Sequence, residues 1–265
     1  MNYKLLTTNY KLKIAWLYPE LMSTYGDRGN VIVLQKIAES NGIEVEIVRI
    51  NEILNSQLSI LNSCDLIFMG GAQDLQQEIV NKDLLENKGT ILKQMIEDGT
   101  PGLYICGAFQ FLGKYYKDAY GTKIEGLGVF DMYTESYKNK PRLIGNCVIE
   151  PKFSILNSQI SNLMVGFENH GGRTFLSDKS QAFATVKKGF GNNGKDKTEG
   201  IHYKNSIGTY LHGPILPSNP ELAVHLLEVA YENKYGEKID IKFNDVLSKK
   251  ARLILLKRFG INSNE

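Results

Sequence analysis

The chain has 265 residues, with 31 basic against 29 acidic side chains and a formal charge of +2. That length can bury a sizeable core without staples, and the charge balance provides no global field to recruit nucleic acid or an anionic membrane. Cys64, Cys106 and Cys147 are an odd, widely separated set without C-x-x-C spacing, which argues against a disulfide framework or zinc ribbon and fits the reducing cytoplasm.

Residues 1–12, MNYKLLTTNYKL, lack a signal-peptide core, and no later apolar run approaches the ~18 residues of a spanning helix, so a soluble protein with no membrane insertion is expected. LKIAWLY, 12–18, reads as a first strand, followed by a polar loop through Ser23, Tyr25, Gly26 and Asp27. VIVLQKIAESNG then repeats apolar residues at helical spacing and stops at Asn41-Gly42. From Ile43 to Ile50 the strict alternation of IEVEIVRI suits a sheet-edge strand. Residues 52–63 read as a polar-spaced turn or short helix. CDLIFMGG is a near-continuous apolar run closing on two glycines, the pattern of a buried parallel strand whose end lies where ligands bind. TILKQMIEDG, Thr90 to Gly99, predicts an amphipathic helix that feeds the next strand. Alternating strands and helices in this order predict an open parallel sheet wound on both faces.

After about residue 121 the pattern changes to short β-like runs, LGVFDMYT, LIGNCVIE, LMVGFEN, AFATVKKG, GIHYKN and IGTYLHG, which predict an antiparallel or mixed portion. Asn219 to Asn233 follows as a helix, with Pro220 near its start and Gly236 soon after its end. In a last helix over 244–259, Lys249, Lys250, Arg252, Lys257 and Arg258 surround a stripe of Val246, Leu247, Ile254 and Leu255. Such a basic amphipathic tail packs on its own domain or docks a partner. No linker, repeat or low-complexity segment is visible, so one domain over 12–236 with a helical appendage at 237–265 is expected.

The chemistry-bearing stretch is GTPGLYICGAFQFLGKYY, 99–116. Leu103, Tyr104 and Ile105 form a short buried strand, and Ala108, Phe109, Phe111 and Leu112 recur at helical spacing, so Cys106 sits on the corner between them. At such an elbow the first-turn N–H groups and the positive helix end favour a thiolate, whereas the bland reading is a small buried core cysteine. A thiolate attacking an amide carbon needs a base and two donors for the developing oxyanion. Of the four histidines, His212 at the end of IGTYLHG is the best candidate base; His170, in ENHGGRT, is its rival, and His225 on the C-terminal helix is set aside. Gly107 N–H is the natural first oxyanion donor, with Gly70 or Gly71 as the second. GFGNNG matches G-x-G-x-x-G, but the charged KDKTEG after it cannot open an apolar helix, so a flexible hairpin loop through Asn192-Asn193-Gly194 replaces the dinucleotide reading. There is no P-loop, and the Cys and His spacings make no metal site.

A glycine pair after one strand, a cysteine elbow after the next and a late histidine resemble the class I glutamine amidotransferases of the cobyric-acid-synthase-like branch. GDRGN at 26–30, MGGAQDLQQ at 69–77, EGLGVFDMYTES at 125–136, GFENHGGRT at 166–174 and EGIHYKNSIGTYLHGPILPSN at 199–219 resemble, more narrowly, the GatD family of glutaminase subunits of lipid II isoglutaminyl synthase. The resemblance implies a flavodoxin-like α/β fold, a mostly parallel central sheet with helices on both faces and an added antiparallel β portion. It further implies that Cys106 attacks the side-chain amide of L-glutamine, that His212 is base and acid, that Gly71 and Gly107 line the oxyanion hole, and that Arg142 and Gln110 bind substrate. Where many class I enzymes carry a glutamate two residues after the histidine, this chain has Pro214, so a dyad is expected. What holds the His212 tautomer stays open between a backbone carbonyl and a distant carboxylate such as Glu168. No cofactor is expected in this chain. ATP and Mg belong to the implied partner, a MurT-like synthetase of the Mur ligase family that amidates the D-glutamate α-carboxyl of lipid II to D-isoglutamine in peptidoglycan synthesis. The competing readings are a corrinoid-type amidotransferase and a non-enzymatic thiol-sensing module built on Cys106.

Overall fold

Short apolar strands flanked by helical repeats must be covered on both faces, and the computed structural model shows them so. It describes residues 10–51, 56–72, 74–153, 163–244 and 246–261. In chain order the strands are β1 (Lys11–Leu17), β2 (Glu44–Ile50), β3 (Leu66–Met69), β4 (Gly102–Ile105), β5 (Tyr115–Lys117), β6 (Lys123–Glu125) and β7 (Met132–Glu135). They continue as β8 (Leu143–Pro151), β9 (Met164–His170), β10 (Arg173–Leu176), β11 (Ala184–Lys188), β12 (Thr198–Glu199), β13 (Ile201–Tyr203) and β14 (Ser206–Thr209). The helices are α1 (Arg28–Ser40), α2 (Ser56–Leu61), α3 (Asp74–Asp83), α4 (Gly89–Glu97), α5 (Gly107–Phe111), α6 (Ile215–Ser218), α7 (Pro220–Tyr235) and α8 (Val246–Arg258).

The main sheet has six strands in the order β13-β14-β4-β3-β1-β2. All neighbours in it pair parallel except the β13–β14 hairpin, and β2 sits at the edge as its alternating sequence predicts. β3 and β4 are buried throughout, and α1 and α7 pack against each other on one face. Two four-stranded sheets, β10-β7-β5-β6 and β12-β11-β8-β9, form the added β portion. The late run IGTYLHG belongs to neither. Its β14 returns to pair parallel with β4, Thr209 opposite Ile105, which carries the following residues to the rim where Cys106 sits.

Three expectations are corrected. Residues 74–97 hold two helices joined by a π-helical turn at Leu84–Lys88, where only the second was expected. The turn buries Lys88 in an ion pair with Asp83, whose Oδ2 also accepts the Tyr18 hydroxyl at 2.8 Å, and this satisfied charge explains why a polar segment folds inward. The stripe Val246, Leu247 and Ile254 faces solvent, because the rotation of α8 is set by Arg252, ion-paired with Glu221 of α7, and by Leu256, packed on Val148 and Val165. The GFGNNG connection joins antiparallel β11 and β12 as a hairpin, but it is packed where a flexible loop was expected: Asn192 is fully buried, its side chain bonding the Gly200 carbonyl and amide, and the amides of Phe190 and Gly191 donate to the Glu168 carboxylate. Of the 52–63 segment, residues 52–55 lie outside the described residues.

Candidate active site

The elbow forms because β4 ends at Ile105 and α5 begins at Gly107, leaving one residue to reverse direction. Cys106 takes φ +52° and ψ −101°, a conformation that costs an L-residue about 1–3 kcal/mol. Neighbours hold it there. Its N–H donates to Thr209 O at 2.8 Å, and its carbonyl accepts from Gln110 N–H at 3.0 Å. Cys64 and Cys147 are different: burial pushes the Cys64 thiol up to about 12 and the Cys147 thiol higher still, so neither supplies a thiolate.

His212 lies three residues past β14, and its backbone is locked antiparallel to Phe167 of β9 by bonds of 2.7 and 3.0 Å. The imidazole is 1% exposed. A β-carbon added at Gly71 would stand 2.8 Å from His212 Cε1 and 3.3 Å from Cys106 Cβ, so base and sulfur share the space that this glycine leaves open. Burial disfavours the imidazolium, but Asp27 and the adjoining Cys106 sulfur outweigh it and raise the His212 pKa to about 10. Among the described residues Nε2 finds no hydrogen-bond partner of good geometry, as is common before substrate arrives.

The carboxylate beside His212 is that of Asp27, in the loop after β1 that reads in sequence as an ordinary polar turn. Fully buried, it places Oδ1 3.3 Å from His212 Nδ1 and accepts Gly71 N–H on Oδ2 at 2.7 Å. The chain order hides it, but β1 and β3 are neighbours, so the loop after β1 and the glycines after β3 open on one rim. Pro214, at the position of the missing glutamate, packs towards Gly29 at the start of α1. Glu168 serves elsewhere, binding the 190–191 amides and lying 3.7 Å from His170. His170 is stacked on Tyr210 at 3.6 Å with Nδ1 on Gly172 O, and burial lowers its pKa. His202 and His225 lie against Phe153.

The expected oxyanion donors separate. Gly107 N–H opens α5 beside the sulfur, but Gly71 N–H is taken by Asp27. The Ala72 amide nitrogen also lies close to the elbow, 3.5 Å from where a Gly107 β-carbon would sit. Cys106 and His212 open on a cleft of about 1730 Å³ also lined by Gln110 and Arg142. Gln110 Nε2 donates to Tyr210 Oη at 3.0 Å, and Arg142 donates through Nε and Nη2 to Asn169, both at 2.9 Å. Among the described residues no group of three or more His, Cys, Asp or Glu is arranged to hold a metal, and no helix is long and apolar enough to cross a membrane.

Comparison with known proteins agrees with this geometry. Residues 13–220 match the model of the CobB/CobQ-like glutamine amidotransferase domain. The chain is 47% identical over 225 residues to the GatD subunit of lipid II isoglutaminyl synthase (glutamine-hydrolyzing) of Staphylococcus aureus, covering 85% of this chain and 86% of that one. It is 43% identical over 242 residues to the corresponding subunit of Streptococcus pneumoniae, covering 90% and 88%. A probable cobyric acid synthase of Methanococcus maripaludis is 31% identical, but the match spans only 46% of that longer protein. Among solved structures, the fold is shared with a chain of PurLQS from Thermotoga maritima (TM-score 0.54, 14% identity, 86% of this chain, 100% of that one). It is also shared with the glutaminase domain of Trypanosoma brucei CTPS (TM-score 0.52, 13% identity, 87% and 96%). A parallel sheet with a cysteine elbow, a histidine at the same rim and these relatives lead to one assignment: the chain belongs to the CobB/CobQ-like glutamine amidotransferase family, in its GatD branch.

Proposed function

We propose that this chain is the glutaminase subunit of a lipid II isoglutaminyl synthase, working through Cys106, His212 and Asp27. The observation that carries the reading is a strained cysteine elbow facing a histidine whose far nitrogen lies against a buried carboxylate. The Cys106 sulfur attacks the side-chain amide carbon of L-glutamine, forming a carbon–sulfur bond and a tetrahedral oxyanion that accepts from Gly107 and Ala72 N–H. His212, which takes the Cys106 thiol proton as an imidazolium stabilised by Asp27, gives that proton to the departing nitrogen, and ammonia leaves as the thioester forms. The neutral imidazole then takes a proton from water as it attacks the thioester; the carbon–sulfur bond breaks, glutamate leaves, and that proton returns to the Cys106 sulfur. Gly71 serves as the spacer that lets His212 and Cys106 meet. Arg142 supplies a guanidinium for the substrate carboxylate, and Gln110 lines the floor.

This work is assigned to residues 12–236, with 237–265 as a helical appendage, in a cytoplasmic protein that needs no cofactor of its own. The chain has no nucleotide motif, so the acceptor is activated elsewhere, by a MurT-like synthetase of the Mur ligase family using ATP and Mg. In the assembled enzyme the ammonia amidates the D-glutamate α-carboxyl of lipid II to D-isoglutamine. The test is to supply the purified chain and its synthetase with glutamine, ATP and lipid II. Amidated lipid II forms with the wild-type chain, and with Cys106→Ala it forms only when ammonium replaces glutamine. Glutamine-dependent product from Cys106→Ala would overturn the proposal.

A further inference from the structure

Tyr25 breaks two local rules at once. It holds φ +55°, a left-handed value unfavourable to an aromatic residue, and it is 48% exposed, so burial offsets little of that strain. Its surroundings show what keeps it there. Thr24 pins the turn to the Gly71 carbonyl through N–H at 3.2 Å and Oγ1 at 2.8 Å, and two residues on Asp27 is anchored to Gly71 N–H and His212. The Tyr25 ring meets His212 edge-on, centroids 4.9 Å apart and planes at 68°, and Phe167 at 6.3 Å. Its hydroxyl accepts from Asn169 Nδ2 at 2.6 Å, and the other atoms of Asn169, Oδ1 and the carbonyl, accept the two Arg142 donors.

One side chain therefore touches the catalytic imidazole with its ring and the substrate-binding arginine, through Asn169, with its hydroxyl. We infer that Tyr25 is a positioning residue that ties glutamine recognition at Arg142 to the placement of His212, a role that rests on the glutaminase reading above. Its two halves act on different quantities. The hydroxyl orients the Arg142 fork and so sets affinity for the amino-acid end of the substrate; the ring limits the tilt of His212 and so sets the rate once substrate is bound. Strain is tolerated at such a place because the ring is useful only where the left-handed turn puts it.

The inference is tested on the full chain by alkylation of Cys106 with a glutamine-like diazoketone, against iodoacetamide as a reagent with no amino-acid end. Tyr25→Phe keeps the ring and removes the acceptor, and is expected to raise the half-saturating diazoketone concentration about fivefold while the saturated rate falls less than twofold. Tyr25→Gly accepts the left-handed φ and removes the ring; it is expected to slow saturated diazoketone labelling more than tenfold with the thermal midpoint within about 3 °C of wild type. Variants that label like the wild type, or a Tyr25→Gly whose midpoint collapses together with its reactivity towards both reagents, overturn the positioning role. Failure of the diazoketone to label Cys106 in the wild-type chain, where iodoacetamide succeeds, instead overturns the underlying glutamine reading and the inference with it.

Discussion

Cys106 and His212 were legible because each stands at a corner that the one-dimensional pattern marks: an apolar run broken by glycine, and a strand end before Gly-Pro. Asp27 was not, although its carboxylate lies against the imidazole. It is 185 residues away from His212 in the chain, in a loop whose composition is that of any surface turn. Only the adjacency of β1 and β3 brings it to the rim, and adjacency is a property of the sheet order. The signal available was an acidic residue between the first parallel strand and the first helix, at the end of the sheet where ligands bind. Gly71 reaches the rim that the glycine pair marks in the sequence, but its amide donates to Asp27, and its missing β-carbon leaves room for His212 Cε1. Asp27→Asn is nearly isosteric but removes the charge that holds the imidazolium. Its kcat for glutamine is expected to fall about 10²- to 10⁴-fold with little change in KM, measured by steady-state glutamate release; an unchanged kcat would show that a backbone group suffices.

At the scale of elements, β14 determines the site. The late short strands read only as an antiparallel or mixed portion because their lengths and turns are alike; in the fold β14 lies parallel to β4 and puts Thr209 O on the Cys106 amide. What fixes the end of β14 is buried Glu199: one oxygen accepts Thr209 Oγ1 at 2.5 Å and Tyr210 N–H at 2.9 Å. Burial, then the nearby Glu168 charge, pushes the Glu199 carboxyl up to about 7 against the pull of its donors. Its folded pKa is above its unfolded value, so the folded state binds the extra proton. Stability is full below about pH 4.5 and declines as pH rises through about 7. Glu199→Gln keeps the acceptor oxygen and removes the titration. Relative to the wild type it is expected to gain up to roughly 3 kcal/mol between pH 5 and 9 by urea unfolding; parallel profiles for the two proteins would show that Glu199 stays charged throughout.

For the whole molecule, the near-neutral charge and absent nucleotide motif left only a local site to carry function, and the fold agrees. One open sheet supplies Asp27 after β1, Gly71 after β3, Cys106 after β4 and His212 after β14 to a single rim. The two smaller sheets wall the cleft, one through Asn169 at the end of β9 and Arg142 just before β8, the other through Tyr116 of β5 and Ile124 of β6. Period-two runs reveal that strands exist but not which of them face a cleft, so this outer wall was the least legible part of the chain.

The most direct test of the account is to acid-quench the chain within its first turnovers of glutamine and map the adducts by peptide mass spectrometry. A γ-glutamyl adduct on Cys106, absent from Cys64 and Cys147 and absent throughout Cys106→Ala, is the expected result. Undiminished glutamate release from a Cys106→Ala chain, with no adduct on any cysteine, would contradict it.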